Sequence, residues 1–127
     1  VRIALTSIYV EDPVGKAYAF YTEVLGFVPK LFVPEAELVI LASPEDPEGT
    51  ALLLEPNTHP VAEIYQQGLF ELDVPAIIFS VADIAAEYDR LTGLGVLFRS
   101  EPARNETGVS TVFEDTCGNL IELYQPL

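Results

Sequence analysis

The chain has 127 residues, half of them hydrophobic and 20% charged, the balance of one globular domain able to bury a real core. A net charge of −14 with only six Lys and Arg excludes phosphate-backbone binding, and the lone Cys117 excludes an internal disulfide. No apolar run approaches the ~20 residues that span a bilayer, and no basic leader precedes the first strand, so no membrane segment and a cytoplasmic location are expected.

Arg2 to Val10 alternates and is rich in β-branched residues, which predicts a strand. Asp12-Pro13 then opens a helix, with Asp12 as N-cap and Pro13 at its first position. Val14, Ala17, Tyr18, Tyr21, Val24 and Leu25 fall at helical spacing and give it one buried face, and Gly26 closes it in a left-handed cap. Phe27 to Val33 is a second strand, where Pro29 calls for an edge or a bulge. Glu37 to Ala42 is a third strand, Ser43 to Gly49 a turn dense in Pro and acid, and Thr50 to Glu55 a fourth strand. From Asn57 the chain enters a connector with a short helix from Pro60 to Gln67, capped by Thr58 or His59 and ended by Gly68.

The same order then returns. Val74 to Val81 is a strand. Asp83 caps a helix with Ile84, Ala85, Tyr88 and Leu91 inside, and Gly95 stops it. Val96 to Arg99, Gly108 to Phe113 and Asn119 to Gln125 are strands, with a polar loop over 101–107 and a turn over 114–118. The echo is literal in places. Glu45-Asp46-Pro47-Glu48-Gly49 recurs as Glu114-Asp115-Thr116-Cys117-Gly118, 69 residues on, and Asp12 recurs as Asp83, 71 on. The chain therefore reads as α+β, two βαβββ modules at about 1–56 and 73–127 joined by a linker helix over 57–72, within one domain. Two such sheets, each curled, can enclose a partly open barrel-like cavity.

Val10-x-Asp12, Phe20-Tyr21-x-x-Val24-Leu25-Gly26-Phe27 and Gly118-Asn119-Leu120-Ile121-Glu122-Leu123 resemble the vicinal oxygen chelate superfamily, over nearly the whole chain from Ile3 to Gln125. That superfamily includes glyoxalase I, extradiol dioxygenases and bleomycin- and fosfomycin-resistance proteins. The resemblance implies a homodimer, with each cavity often built by both chains. It is specific for fold and weak for function, since several reactions and pure binders share the scaffold. In metal-using members, ligands come from the first strand of each module, seven residues before the Asp, and from a Glu on the last strand. Counting back from Asp12 gives Leu5, and from Asp83 gives Ala76, neither a ligand. Glu122 stands at the family's glutamate, with Glu55 as its expected partner; an ungapped register pairs Glu122 with Leu53, which shares a strand face with Glu55. One histidine in the chain rules against the two-His facial triad of a dioxygenase.

The candidate site residues are therefore Glu122 and Glu55, as general base or as partners of a cationic ligand. Phe79, Phe113 and Tyr124 on strands are candidates for ligand contact; His59 reads first as an exposed helix cap, and as a further ligand contact if it reaches the cavity mouth. Arg99 and Arg104 are two of few cations and could meet an anionic group or pair with surface acid. Cys117 lies beside two acids, which oppose thiolate formation, so an inert turn cysteine is expected. No cofactor is expected; a divalent metal, if bound, would use Glu55 and Glu122. The expected function is metal-free binding of a small organic molecule, of a cation for preference given the acidity. The alternative is a metal-dependent lyase or isomerase of glyoxalase type.

Overall fold

Asp12 begins the first helix as its residue type requires, with its carboxylate accepting from the Lys16 backbone N–H at 3.0 Å. The helix that follows is wider than expected. It consists of two π-helical segments, Pro13–Ala17 and Phe20–Val24, in which Ala17 N–H reaches back to Asp12 O and Leu25 N–H to Phe20 O, each at 3.1 Å. The wider turn narrows the buried face: Ala17 and Tyr21 are fully buried, while Val14, Tyr18, Val24 and Leu25 are only half-buried. Gly26 adopts φ 90° and ends the helix as expected. Phe27 N–H then bonds to Tyr21 O at 3.0 Å and Gly26 N–H to Thr22 O at 3.1 Å, each one residue wider than the paired bonds of a Schellman turn, in keeping with the π-helical winding before them.

The structure, a computed structural model, describes residues 1–127 and divides into two compact units, Val1–Tyr65 and Gln66–Leu127. In the first unit, β1 (Leu5–Val10), β2 (Val28–Val33), β3 (Leu38–Ala42) and β4 (Ala51–Pro56) form a sheet in the order β1-β4-β3-β2, with β1 parallel to β4. Pro29 sits in the edge strand β2 and beside a register shift between Pro29 and Leu31, so both readings of that proline hold. The first π-helical segment packs on β3 and β4, and the second packs beside the first. The side chains facing them, Ile8, Val10, Val39, Leu41, Leu52 and Leu54, form the core.

In the second unit, β5 (Ile77–Ser80), β6 (Ala103–Arg104), β7 (Gly108–Glu114) and β8 (Leu120–Pro126) repeat the pattern in the order β5-β8-β7-β6, with β5 parallel to β8. Neither sheet closes on itself. Helix α2 (Ile84–Gly93) starts at Asp83, whose side chain accepts from Ala86 N–H at 3.1 Å, and it packs on β8 with Ile84 and Leu91 buried. Ala85, expected inside, is exposed. The expected strand over 96–99 is reduced to one bridge, Phe98 with Phe113, flanked by a bond from Arg99 N–H to Val112 O at 2.8 Å. The outer strand is instead the two-residue β6, inside the stretch expected to be a polar loop.

Helix α1 (Pro60–Glu71) bridges the two units in sequence and runs past Gly68, where the sequence predicted its end. A helical glycine costs about 1 kcal/mol relative to alanine, and burial of part of Leu69 and Phe70 beyond it offsets that cost.

The two copies of the Glu-Asp-x-x-Gly turn differ in burial. Asp46 is exposed, whereas Asp115 is fully buried. Asp115 Oδ1 accepts from Cys117 N–H at 2.7 Å and Asn119 N–H at 2.9 Å, and Oδ2 accepts from Asn119 Nδ2 at 2.8 Å. Gln66 of α1 donates to Cys117 O at 3.1 Å and Asn119 Oδ1 at 3.3 Å. Burial of a charged group is tolerable only with such bonds. The network fixes where β8 begins, and hence which way Glu122 points.

Candidate functional site

Alternation along β8 sorts its side chains. Ile121 and Leu123 face the helix-covered core, so Glu122 and Tyr124 face the open side of the sheet. Cross-strand pairing extends this face. Glu122 is opposite Ile78 of β5 and Val112 of β7, and Tyr124 is opposite Ser80 and Ser110. Glu122 is half-buried. Tyr124 donates its hydroxyl to Thr107 O at 2.9 Å, which fixes the ring against the sheet.

Arg99 lies alongside Val112 and continues the row from Glu122. Its Nη1 donates to Asp73 Oδ1 at 2.9 Å, its Nε is 3.7 Å from Glu114 Oε2, and its guanidinium carbon stands 5.3 Å over the Phe70 ring. Asp73, Arg99, Ser100, Val112 and Leu120 line a cavity of about 240 Å³. The open face of the second sheet thus combines an apolar floor with one guanidinium and several carboxylates, a composition suited to holding a polar aromatic or aliphatic molecule.

In the first unit Glu55 is half-buried on the open side of β4, since its neighbours Leu52 and Leu54 enter the core. It is opposite Tyr9 of β1, and Tyr9 meets Tyr65 of α1 edge-on with ring centroids 6.5 Å apart. The register resolves the repeat. Ser7 pairs with Leu53 as Ile78 pairs with Glu122, so Leu53 is the positional counterpart of Glu122, and Glu55 corresponds to Tyr124. The two glutamates share a sheet side in their own units but not a position in the repeat.

The structure does not bring Phe79 and Phe113 together with Glu122 and Tyr124. Phe79 pairs with Leu123 and therefore faces the helix-covered side, and Phe113 is fully buried beside Phe98 at 5.5 Å. His59 is exposed and caps α1: its Nδ1 accepts from Val61 N–H at 3.2 Å and its carbonyl from Glu63 N–H at 3.0 Å. Cys117 is buried in its turn. Arg104 is exposed on β6. The open-face residues not singled out by sequence are Ile78, Ser80, Ser110, Val112 and Leu120 around Glu122, and Tyr9 and Tyr65 beside Glu55. Parity with Glu122 along the strands was the signal for the first group, and it needed the register to be usable.

Within one chain this donor set is short of the ligands of a zinc-type centre. Zinc-type centres need three or four protein ligands. Leu5 and Ala76 offer none, and no group of three or more His, Cys, Asp or Glu side chains comes together anywhere in the chain.

Comparison with known proteins agrees with this architecture. The profile of the Glyoxalase/Bleomycin resistance protein/Dioxygenase superfamily matches residues 2–123. The uncharacterized protein YurT of Bacillus subtilis (strain 168) is 48% identical over 127 residues, which covers 98% of this chain and 99% of YurT. Among solved structures, UcmS2 superposes with a TM-score of 0.80 at 27% identity, covering 98% of this chain and 97% of its own. TnmS3, an antibiotic binding protein from Streptomyces sp. CB03234, superposes with a TM-score of 0.78 at 26% identity, covering 100% of this chain and 97% of its own. With a family profile matching residues 2–123, across both units, the chain belongs to the glyoxalase/bleomycin resistance protein/dioxygenase superfamily.

Proposed function

We propose that this protein binds a small organic cation on its open sheet faces and sequesters it, without a metal and without turnover. The observation that carries this reading is Glu122, a half-buried carboxylate set between Ile78 and Val112. A carboxylate there loses part of its hydration and regains it from a cationic ligand, while the apolar neighbours take up the ligand's hydrocarbon. The overall charge of −14 draws cations toward the protein. The likeness to TnmS3, an antibiotic binding protein, supports small-molecule binding as the role of this scaffold. In this reading Tyr124 supplies a ring face, Glu55 with Tyr9 and Tyr65 offers an equivalent acidic and aromatic surface in the first unit, and two copies of the chain pair in a reducing cytoplasm. Exposure of Ile78 at 58% and Leu97 at 59% supports the pairing, since a second copy would cover them.

The test is a thermal-shift screen with cationic antibiotics and with α-ketoaldehyde–thiol adducts, run beside metal analysis of the purified protein. Stabilisation by cations that disappears in Glu122→Gln is expected. A stoichiometric divalent ion that is lost in Glu122→Gln would overturn the metal-free reading in favour of a glyoxalase-type lyase or isomerase using Glu55 and Glu122. No shift from any compound would leave a scaffold without a ligand.

A further inference from the structure

The binding reading does not use Arg99, yet Arg99 lies in the same cross-strand row as Glu122 and lines the adjoining cavity. We propose that Arg99 is the receptor for a neutral carbonyl-type oxygen of the ligand, so that the ligand is a flat aromatic cation that also carries an acceptor such as a carboxamide. This rests on the function proposed above and narrows its ligand class.

The guanidinium is held before any ligand arrives. Asp73 takes one Nη1 hydrogen at 2.9 Å, Glu114 stands near Nε at 3.7 Å, and the Phe70 ring supports the plane at 5.3 Å. Asp73 is itself in the left-handed region, at φ 58°. No other hydrogen bond or ion pair reaches this side chain, so the Nη2 hydrogens remain to be satisfied by solvent or ligand. A fixed planar donor over an apolar floor of Val112 and Leu120 recognises an oxygen acceptor with little ordering cost.

Charge decides which acceptor. Asp73, Glu114 and Glu122 oppose the single Arg99 on this face, so an anionic group meets net repulsion there. A neutral carbonyl accepts the same hydrogen bonds without that penalty. Position sets the spacing. From Arg99 across Val112 to Glu122 is two strand spacings, roughly 10 Å between backbones. A flat fused-ring cation with the acceptor on an outer ring is of a size to span that distance, so that its charge meets Glu122 while its acceptor meets Arg99.

The probes are 9-aminoacridine, a fluorescent cation without the acceptor, and 9-aminoacridine-2-carboxamide, which adds it. Both are titrated by fluorescence against the wild type and Arg99→Gln. The wild type is expected to bind the carboxamide about tenfold more tightly than the parent. In Arg99→Gln that ratio falls to about one, while the parent binds as well as before or better, because a positive charge has left the face. Arg99→Lys, which keeps the charge without the planar fork, is expected to lose most of the ratio too, and it decides the matter if the Gln variant does not fold. Equal affinities in the wild type, or a preference that survives these substitutions, would overturn the role of Arg99 and leave cation binding standing. Failure of the parent probe to bind would sink the cation reading itself, and this inference with it.

Discussion

Thr116 holds φ 62° in the turn before β8, a left-handed conformation that β-branched residues strongly disfavour. Its side chain is exposed and makes no hydrogen bond that would offset the strain. Thr116→Asn is therefore expected to stabilise the protein by about 1 kcal/mol in urea unfolding. Two residues on, Gly118 has φ 105° and a different constraint. A Cβ there would stand 2.6 Å from Gln66 Nε2, the donor that joins α1 to the turn. Gly118→Ala is expected to cost about 2 kcal/mol or more in the same assay, since it strains the backbone and displaces a buried hydrogen-bonded amide. The same turn thus has one position where its residue is worse than an alternative and one where no other residue fits. If both substitutions proved neutral, the buried network around Asp115 would not be what sets the start of β8.

Among elements, α1 departs from a regular amphipathic helix. Val61, Ile64 and Tyr65 are exposed along one stripe, while Ala62 and Gln66 are buried on another. Gly68 lies within it, and a Cβ added there meets nothing within 4 Å. Gly68→Ala is expected to raise stability by about 0.5–1 kcal/mol, read as a higher urea midpoint with an unchanged slope. What the sequence revealed about such elements depended on the range of the forces involved. The caps at Asp12 and Asp83 and the stops at Gly26 and Gly95 are set within four residues, and they stand where the sequence predicted. The open face of β8 was readable from alternation alone, which is why Glu122 and Tyr124 share it. Phe79 was not placed so easily: its face depends on pairing with Leu123 rather than Glu122, a difference of one residue that only the partner strand can decide. Arg99 was visible as a rare cation, but its partner Asp73 lies 26 residues away and no local pattern joins them. The helix continuing through Gly68 and the short β6 likewise reflect packing that outweighs local preference.

Across the whole molecule, twenty acidic side chains face six basic ones. The ion pairs of Arg90 with Glu87 and of Arg99 with Asp73 and Glu114 are at or near the surface and contribute little individually. Self-repulsion of the remaining acid is the larger long-range effect, and salt screens it within about 10 Å at 0.1 M. Raising salt from about 0.05 to about 0.5 M is expected to raise the melting midpoint by a few degrees. A midpoint that falls instead would mean that the few ion pairs outweigh the repulsion.

In each unit the first strand lies parallel to the last: Leu5 beside Ala51, and Ile77 beside Ile121. Neither β1 nor β5 can find its permanent neighbour until almost all of its unit has been made. Since β4 and β8 are echoes of one another, each resembles the other's proper mate. Synthesis from the N-terminus removes the ambiguity, because β1 and β4 leave the ribosome before β8 exists. A denatured chain released all at once has no such order, and β4 and β8 then compete for the same opening strands.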